Sequence, residues 1–286
     1  MKIYCGREFR EGDIESIKRL IAQEPSLRRT SLARALCALW GWTKPSGELK
    51  DMSCRVALTR MEAEGLIQLP PSRITTRRRR PHFPPTGATD AQAPLRQPVH
   101  ALEALRLCPV TDKAVSRLWN EFMARYHYLG YTPMAGNQLR YNVYAGAQRV
   151  ALLSFGASAW ALAARERFIG WSEPARRKNL PLVVNNARFL ILPWIQSPGL
   201  ASTILAKTAR RLPQDWHQRY GYAPVLLETF VETGRHRGTC YKAANWIRVG
   251  QTTGRGKKSL VHRPILPIKD IWLYPLHKRF RSVLCR

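Results

Sequence analysis

Two carboxylates in the segment ETFVE (residues 228–232) are the first candidates for chemistry. Glu228 and Glu232 offer the oxygen ligands that Mg²⁺ prefers, and a bound Mg²⁺ can assist cleavage or strand transfer on DNA. Side chains alternate along a strand, so two residues four positions apart on a predicted strand point to the same face. The first hypothesis is a magnesium-dependent nuclease or transposase-like strand transferase with Glu228 and Glu232 as metal ligands. The surrounding sequence matches no nuclease signature.

A tyrosine offers a second chemistry. Tyr241, or Tyr128 beside His127, could attack a DNA phosphate and form a covalent link to the strand. Whichever chemistry applies, Glu228, Tyr241 and Asn245 are expected to line one cleft that faces the nucleic acid, with His127 nearby. Glu228, Tyr241, His127 and Asn245 are therefore the predicted catalytic set.

A third hypothesis involves no reaction. Polar residues that sit among apolar neighbours are usually hydrogen-bonded to each other, and Glu228, Asn245, Asn185 and Asn186 could form such a structural network. The cleft would then bind DNA ends or a partner protein. The sequence leaves all three hypotheses open.

The elements around these residues follow the order strand, helix, strand, helix. Residues 188–195 form an apolar run rich in strand formers, which Pro198 and Gly199 end before apolar residues recur at helical spacing. A second strand is predicted over residues 224–231 and a short helix over residues 239–246. A helix that connects two neighbouring strands makes them parallel, so this part of the chain is predicted to be a mixed α/β domain.

The turn QSPGLA (196–201) and the segment YKAANW (241–246) resemble two elements of the GNAT acyltransferase fold. The resemblance implies that backbone amides at Gln196, Gly199 and Ala201 hold the pyrophosphate of coenzyme A at a helix N-terminus, where free amides and the helix dipole favour an anion. It also implies that Tyr241 protonates the leaving thiolate, with Asn245 where the family usually has glycine. Acetyl-coenzyme A would then be the cofactor, whereas a nuclease would need Mg²⁺; the cofactor itself stays open.

A second resemblance covers residues 119–284 and is to the DruA family, named after the Druantia anti-phage defence system and also found with bacterial mobile elements. It rests on YHYLG (126–130), GNQLRY (136–141), ERFIGW (166–171), NNARFLIL (185–192), ETFVE (228–232) and GTCYKAANW (238–246). The resemblance implies a DNA-directed role, with DNA and other defence-system or mobile-element proteins as partners. It implies no particular chemistry.

The charge of the chain also favours a nucleic-acid partner. Its 47 Lys and Arg residues against 19 Asp and Glu give a net charge of +28, far more than solubility requires.

We find neither an apolar run long enough to span a membrane nor an N-terminal signal, so we expect a cytoplasmic, nucleoid-associated protein without a membrane partner. The six scattered cysteines predict free thiols rather than disulfides or zinc. The oligomeric state is open, and a dimer is compatible with the sequence.

Residues 1–70 have the pattern of a winged helix-turn-helix domain. Three helices are predicted, the third running from Asp51 to Gly65 with Met52, Val56, Leu58 and Met61 facing the core, followed by a strand at residues 66–69. In such a domain the third helix enters the major groove of DNA. A module that contacts proteins instead is the alternative.

A proline-rich linker with an arginine tract is predicted over residues 71–99, followed by a mixed α/β GNAT-like domain over residues 100–286. The tract suits phosphate contacts, and a solvent-exposed charge run is the alternative. Residues 171–180 are predicted to form a basic loop. The predicted DNA contacts are Lys50, Arg55, Arg60, Arg77, Arg78, Arg79, Arg80, Arg176, Arg177, Arg255 and Lys257.

Overall fold

The computed structural model describes residues 2–43, 47–71, 82–255 and 266–286. The chain divides into two compact units, Met1–Arg79 and Arg80–Arg286. Five of the predicted DNA contacts lie outside the described residues: Arg77, Arg78, Arg79, Arg80 and Lys257.

The first unit contains a short hairpin and three helices. These are β1 (Lys2–Tyr4), β2 (Arg7–Phe9), α1 (Glu11–Gln23), α2 (Arg29–Leu39) and α3 (Asp51–Ala63). The three helices agree with the prediction, and they pack around a core centred on Ile17, Leu32, Leu36 and Met61. The strand predicted at residues 66–69 is not formed; the paired strands of this unit are instead the N-terminal hairpin.

Helix α3 buries Leu58 and Met61 as predicted, but the prediction that Met52 and Val56 face the core is wrong. Met52 and Val56 are 61% and 43% exposed, because the buried face carries Cys54, Ala57 and Leu58. A helix brings residues three and four positions apart onto one face, so burial of Cys54 and Leu58 forces Met52 and Val56 outward.

The second unit is built on a seven-stranded mixed sheet in the order β3-β4-β5-β6-β7-β9-β8. Its strands are β3 (Leu105–Pro109), β4 (Gln138–Ala145), β5 (Gln148–Ala157), β6 (Val183–Ile191), β7 (Leu226–Glu232), β8 (Ile247–Gln251) and β9 (Lys269–Pro275). Neighbouring strands are antiparallel except β6 and β7. The mixed α/β class predicted from the sequence is confirmed.

Helices cover both faces of this sheet. One face packs against α4 (Lys113–Tyr126), α7 (Leu200–Tyr220) and α8 (Thr239–Ala243), and the other against α5 (Ala163–Ile169), α6 (Glu173–Asn179) and α9 (Phe280–Leu284). Leu226 and Leu227, adjacent on β7, belong to the two different cores, as the alternation of side chains along a strand requires.

The prediction of a basic loop at residues 171–180 is wrong, because Glu173–Asn179 forms helix α6. The Ser172 hydroxyl caps this helix by accepting a hydrogen bond from the Ala175 amide.

The predicted strand–helix–parallel strand unit is formed by β6, α7 and β7. Gly199 begins the helix in the left-handed conformation (φ 78°), which a residue with a Cβ adopts only with strain. The two strands pair only from Val183–Leu226 to Asn185–Glu228. Beyond that pair they separate, and the gap between them opens toward α4 and α8.

The segment assigned to a linker up to residue 99 partly belongs to the second unit. Thr89 is fully buried, and its hydroxyl donates a hydrogen bond to the Glu121 carboxylate on α4 over 2.7 Å. Further along, the Leu95 amide donates to the Trp194 carbonyl. These contacts place the segment against the sheet domain.

Candidate functional site

A cleft of about 1010 Å³ occupies the gap where β6 and β7 separate. Its walls come from six places: residues 185–191 on β6, 229–231 on β7, 235–241 before and within α8, 126–129 at the end of α4, and the single residues Ala201 and Lys269. The parallel strand pair closes one end of the cleft. A volume of this size suits a nucleotide or a cofactor of similar bulk.

The lining of the cleft is cationic. It includes Arg188, Arg235, Arg237 and Lys269, and none of its residues is an aspartate or a glutamate. Arg235 pairs with Glu232 (Nε–Oε1 3.0 Å), which lies outside the lining. The four cationic side chains would attract an anion in this cleft, and no acidic side chain of the lining would repel it.

Arg188 is the most enclosed of these cations. Its Nη1 donates to the Ala187 carbonyl oxygen over 2.7 Å, and within the described part of the chain no carboxylate pairs with it. Burial lowers the pKa of Arg188 from its usual range, although a guanidinium keeps its charge at any physiological pH. The site therefore holds a partly buried charge that is bonded to a backbone carbonyl oxygen rather than to an acidic side chain.

A bulge in β6 brings Arg188 to this position. Ser154 pairs with Arg188 and Phe155 with Asn186, so Ala187 has no partner on β5. Such a bulge redirects the side chains around it. Asn186 is held by it as well, because its Nδ2 donates to the carbonyl oxygens of Ser154 and Arg188, each over 3.1 Å.

Tyr241 forms the floor of the cleft. Its hydroxyl donates to the Asn186 Oδ1 over 2.9 Å, and the Thr229 hydroxyl lies 3.5 Å away. Burial raises the pKa of Tyr241, so the phenol keeps its proton at neutral pH. The side chain is therefore placed to donate a proton or a hydrogen bond, whereas attack on a phosphate would require a base beside it.

His127 lies at the mouth of the same cleft. Burial, together with the charges of Arg188 and His236, lowers the pKa of His127 to about 4. Its Nδ1 accepts a hydrogen bond from the Leu129 amide over 3.1 Å, which leaves the proton of the neutral ring on Nε2. The ring stacks on Tyr128 with centroids 4.9 Å apart. The structure thus brings His127 and Tyr241 into one lining.

Glu228 lies on the other face of the sheet. It is fully buried; its Oε2 accepts from the Arg165 Nη1 and its Oε1 from the Ala159 amide, both over 2.7 Å. Its neighbour Thr229 faces the cleft, so Glu228 must face away. The expectation that Glu228 and Tyr241 share a cleft is wrong. Burial raises the pKa of Glu228, and Arg165 opposes that effect.

The two predicted metal ligands are not brought together. Four residues of strand separate Glu228 from Glu232 by about 13 Å, and each already has an arginine partner. Across the residues that the structure describes, no group of three or more His, Cys, Asp or Glu side chains could hold a metal ion.

Asn245 is exposed after α8 and is not part of the cleft lining. Its φ of 61° is left-handed, a conformation that asparagine tolerates better than most residues. The backbone at this turn, rather than a reaction, accounts for the asparagine where the GNAT element usually has glycine.

The turn predicted to hold coenzyme A is only partly open. Ala201 lines the cleft, but Gln196 and Gly199 do not. The Gln196 amide donates to the Leu95 carbonyl over 2.8 Å, and a Cβ placed on Gly199 would lie 3.1 Å from Val99. Residues 95–101 therefore cover the start of the turn.

The predicted DNA contacts that the structure describes lie on several surfaces. Arg55 and Arg60 are exposed on α3 and Lys50 is half-buried before it; Arg176 and Arg177 lie on α6, and Arg255 is exposed after β8. Arg188, Arg235, Arg237 and Lys269 were not predicted as site residues, and Asn186 was predicted only as part of a structural hydrogen-bond network. An arginine inside the apolar run NNARFLIL is a signal that could have identified Arg188, because a charged residue is rare in a buried strand.

The elements define the larger unit as a mixed α/β domain. The sequence model of the DruA family, described as Druantia protein DruA, matches residues 62–263. Since this match covers most of the chain, the protein belongs to the DruA family, and the resemblance seen in the sequence is confirmed. No curated protein matches the sequence.

Several solved structures are similar to part of the chain. The ribosomal-protein-S18-alanine N-acetyltransferase from Escherichia coli is 8% identical, with 60% of this chain and 94% of that chain covered and a TM-score of 0.39. The aminoglycoside acetyltransferase AAC(6')-Ib in complex with coenzyme A is 14% identical, with 63% and 100% covered and a TM-score of 0.39. A Bacillus subtilis acetyltransferase in complex with CoA is 9% identical, with 61% and 100% covered and a TM-score of 0.35.

No helix in the described ranges combines the length and apolarity that a membrane crossing needs.

Proposed function

We propose that this protein binds DNA in anti-phage defence or within a mobile element, and that its cleft holds a DNA phosphate against Arg188. One observation carries the proposal: a partly buried guanidinium faces a cleft whose lining holds three further cations and no carboxylate. A guanidinium can donate two parallel hydrogen bonds to a phosphate, which makes it a better phosphate ligand than an ammonium group.

One neighbour of Arg188 adds to a phosphate site. The neutral His127 can donate from Nε2 to a phosphate oxygen without a charge of its own.

The charge of the whole chain supports DNA as the source of that phosphate. A net charge of +28 predicts binding that weakens steeply as salt rises, because each phosphate contact releases counterions. The tract Arg77–Arg80 and the exposed Arg55 and Arg60 of α3 would supply contacts that do not depend on base sequence.

The test compares two arginines in binding assays with labelled duplex and single-stranded DNA. Arg188→Ala is expected to lower affinity at least tenfold, because it removes a partly buried phosphate ligand. Arg210→Ala is the matched control: it removes the same charge from an exposed position on α7 outside the cleft, and a change of about twofold or less is expected. Equal losses in the two variants would exclude the cleft as a DNA site.

Acyl transfer is the second candidate, and the position of Tyr241 favours it. The protonated phenol is held at the floor of the cleft by Asn186, where it could protonate a leaving thiolate. Ala201, from the turn that resembles the coenzyme A site, lines the same cleft. DNA or protein would be the acceptor of the acyl group.

One incubation separates binding from reaction. Labelled DNA is mixed with the protein with and without Mg²⁺ and acetyl-coenzyme A, and the products are examined for cleavage, covalent adduct and a mass increase of one acetyl group. A pure binding protein yields none of these. A mass increase that depends on acetyl-coenzyme A supports the second candidate.

A further inference from the structure

Trp160 is an exposed tryptophan on the side of the sheet away from the cleft. Its side chain is 61% exposed and lies in the loop between β5 and α5. Tryptophan is usually largely buried, so an indole presented to solvent is a candidate contact for a partner.

The loop that carries Trp160 is anchored by a buried ion pair. Ala159 donates its amide hydrogen to Glu228 (2.7 Å) and accepts at its carbonyl oxygen from Arg165 (2.9 Å). Glu228 and Arg165 are both fully buried and bonded to each other over 2.7 Å. A buried pair of this kind holds the residue before Trp160 in one position, which reduces the entropy lost when the indole meets a ligand.

The loop is fixed on its other side as well. The Leu162 amide donates to the Glu166 Oε1 over 3.0 Å, and the same oxygen accepts from Arg165 over 2.8 Å. Trp160 therefore lies between two backbone anchors that share one arginine. Its exposure results from how the loop is held.

Basic side chains of α6 surround the indole. The Arg176 guanidinium lies 5.2 Å from the ring centroid and donates to the Trp160 carbonyl oxygen, so it covers one face of the ring. Arg177 and Lys178 are exposed on the same helix. Glu173 pairs with Arg176 and Arg177, which leaves an excess of positive charge beside the ring.

We propose that Trp160 stacks on a base of single-stranded DNA whose backbone passes Arg177 and Lys178. An aromatic platform beside cations suits single strands, because any base can stack on it while the phosphates meet the charges. The bases of a duplex are already stacked on each other and are not available to a protruding indole. This inference rests on the DNA binding proposed above, and it adds a second contact on the opposite face of the sheet.

The test uses Trp160→Leu and Trp160→Phe with a short single-stranded oligonucleotide that carries 2-aminopurine. Because the side chain is exposed, both variants should fold, which circular dichroism and thermal unfolding check. Trp160→Leu is expected to weaken single-strand binding about 5- to 100-fold and to abolish the quenching of 2-aminopurine, whereas Trp160→Phe retains part of both. Duplex affinity should stay within about twofold of wild type.

Ile247→Ala, which truncates another exposed apolar residue, is the control and should leave binding unchanged. The inference is overturned if Trp160→Leu and Trp160→Phe bind single strands equally well, or if Trp160→Leu weakens duplex and single-strand binding alike. Wild-type protein that binds neither form of DNA would overturn the proposed function instead. Wild-type binding to duplex alone would overturn only the role of Trp160.

Discussion

The Arg165 guanidinium donates to the Glu228 carboxylate over 2.7 Å, and neither side chain is exposed to solvent. The pair also bonds both backbone groups of Ala159. Burying two charges is costly, so the pair stabilises the domain only while both partners are present. Its position on the face opposite Tyr241 makes it a structural element of the loop that carries Trp160.

Glu228→Gln is therefore expected to destabilise the protein by up to about 3–5 kcal/mol, because the buried Arg165 loses its buried carboxylate partner and keeps only its ion pair with Glu166. Urea unfolding followed by circular dichroism measures the change. The double variant Arg165→Met with Glu228→Gln should lose less stability than the sum of the two single variants, since neither side chain then leaves a buried charge without its partner. Additive losses would show that the two side chains do not act as a pair.

Tyr241→Phe removes the hydroxyl that donates to Asn186 and leaves the ring in place. A loss of about 0.5–1.5 kcal/mol in unfolding free energy is expected, as for one hydrogen bond. DNA affinity should remain within about twofold of wild type, because the hydroxyl is buried beneath the cationic lining. If the protein transfers acyl groups, Tyr241→Phe should lower the turnover of that reaction and leave DNA affinity unchanged. A decrease in both turnover and DNA affinity would mean that Tyr241 shapes the DNA-binding surface.

Much of the sheet domain could be predicted from local signals. The strand–helix–strand unit was predictable because Pro198 and Gly199 separate a strand-like run from a helical one. Helix α6 was missed since its run of basic residues resembles a loop, although Ser172 and Pro174 are typical of a helix start. Strand β8 was missed because Gly250 and its basic neighbours suggest a flexible segment, whereas pairing with β9 makes it a strand.

The site was less predictable, because it depends on which face each strand residue takes. Because side chains alternate along a strand, Glu228 and Glu232 are expected on the same face of β7. Alternation does not decide whether that face lines the cleft or packs in the buried core. The sheet order decides it, and that order depends on contacts between strands far apart in the chain. The bulge at Ala187 that directs Arg188 into the cleft likewise arises from pairing with β5 and leaves no local sequence signal.

The titration of His127 should affect stability at mildly acidic pH. Its pKa in the folded protein is about 4, below the usual value of 6.5, so the unfolded chain binds the proton first as pH falls. The corresponding stability is fully present above pH 6.5 and is lost as pH falls from 6.5 toward 4, by at most about 3 kcal/mol. The comparison is the urea midpoint of wild type and His127→Asn across this range.

Asparagine at position 127 can still accept from the Leu129 amide but does not titrate, so the pH dependence of its stability should be shallower than that of wild type. His217→Asn, at an exposed position on α7, is the control and should follow wild type. Parallel curves for wild type and His127→Asn would mean that another group accounts for the acid sensitivity.

Arg55 and Arg60 on the exposed face of α3 are expected to contact DNA phosphates. Replacing both with Gln should weaken duplex binding and reduce the slope of log affinity against log salt by about 0.9 for each phosphate that the variant no longer binds. Fluorescence anisotropy titrations at several salt concentrations measure both quantities. Lys18→Gln with Arg19→Gln on α1 removes the same charge, and an identical decrease in slope there would argue against a specific role for α3.

Coenzyme A and DNA place different demands on the start of α7. In the acyl-transfer hypothesis coenzyme A would need free amides at the turn of residues 196–201, but the Gln196 amide is bonded to Leu95 and the Val99 amide donates to the Pro198 carbonyl oxygen over 3.2 Å. Binding there would require residues 95–101 to move away, whereas a phosphate can reach Arg188 without that change.

We therefore expect a short oligonucleotide to raise the melting temperature of the protein in proportion to the logarithm of the oligonucleotide concentration. Coenzyme A at the same concentrations should raise it little. A large shift with coenzyme A that Arg188→Ala leaves intact would place the cofactor at the turn and favour acyl transfer over DNA binding in the cleft.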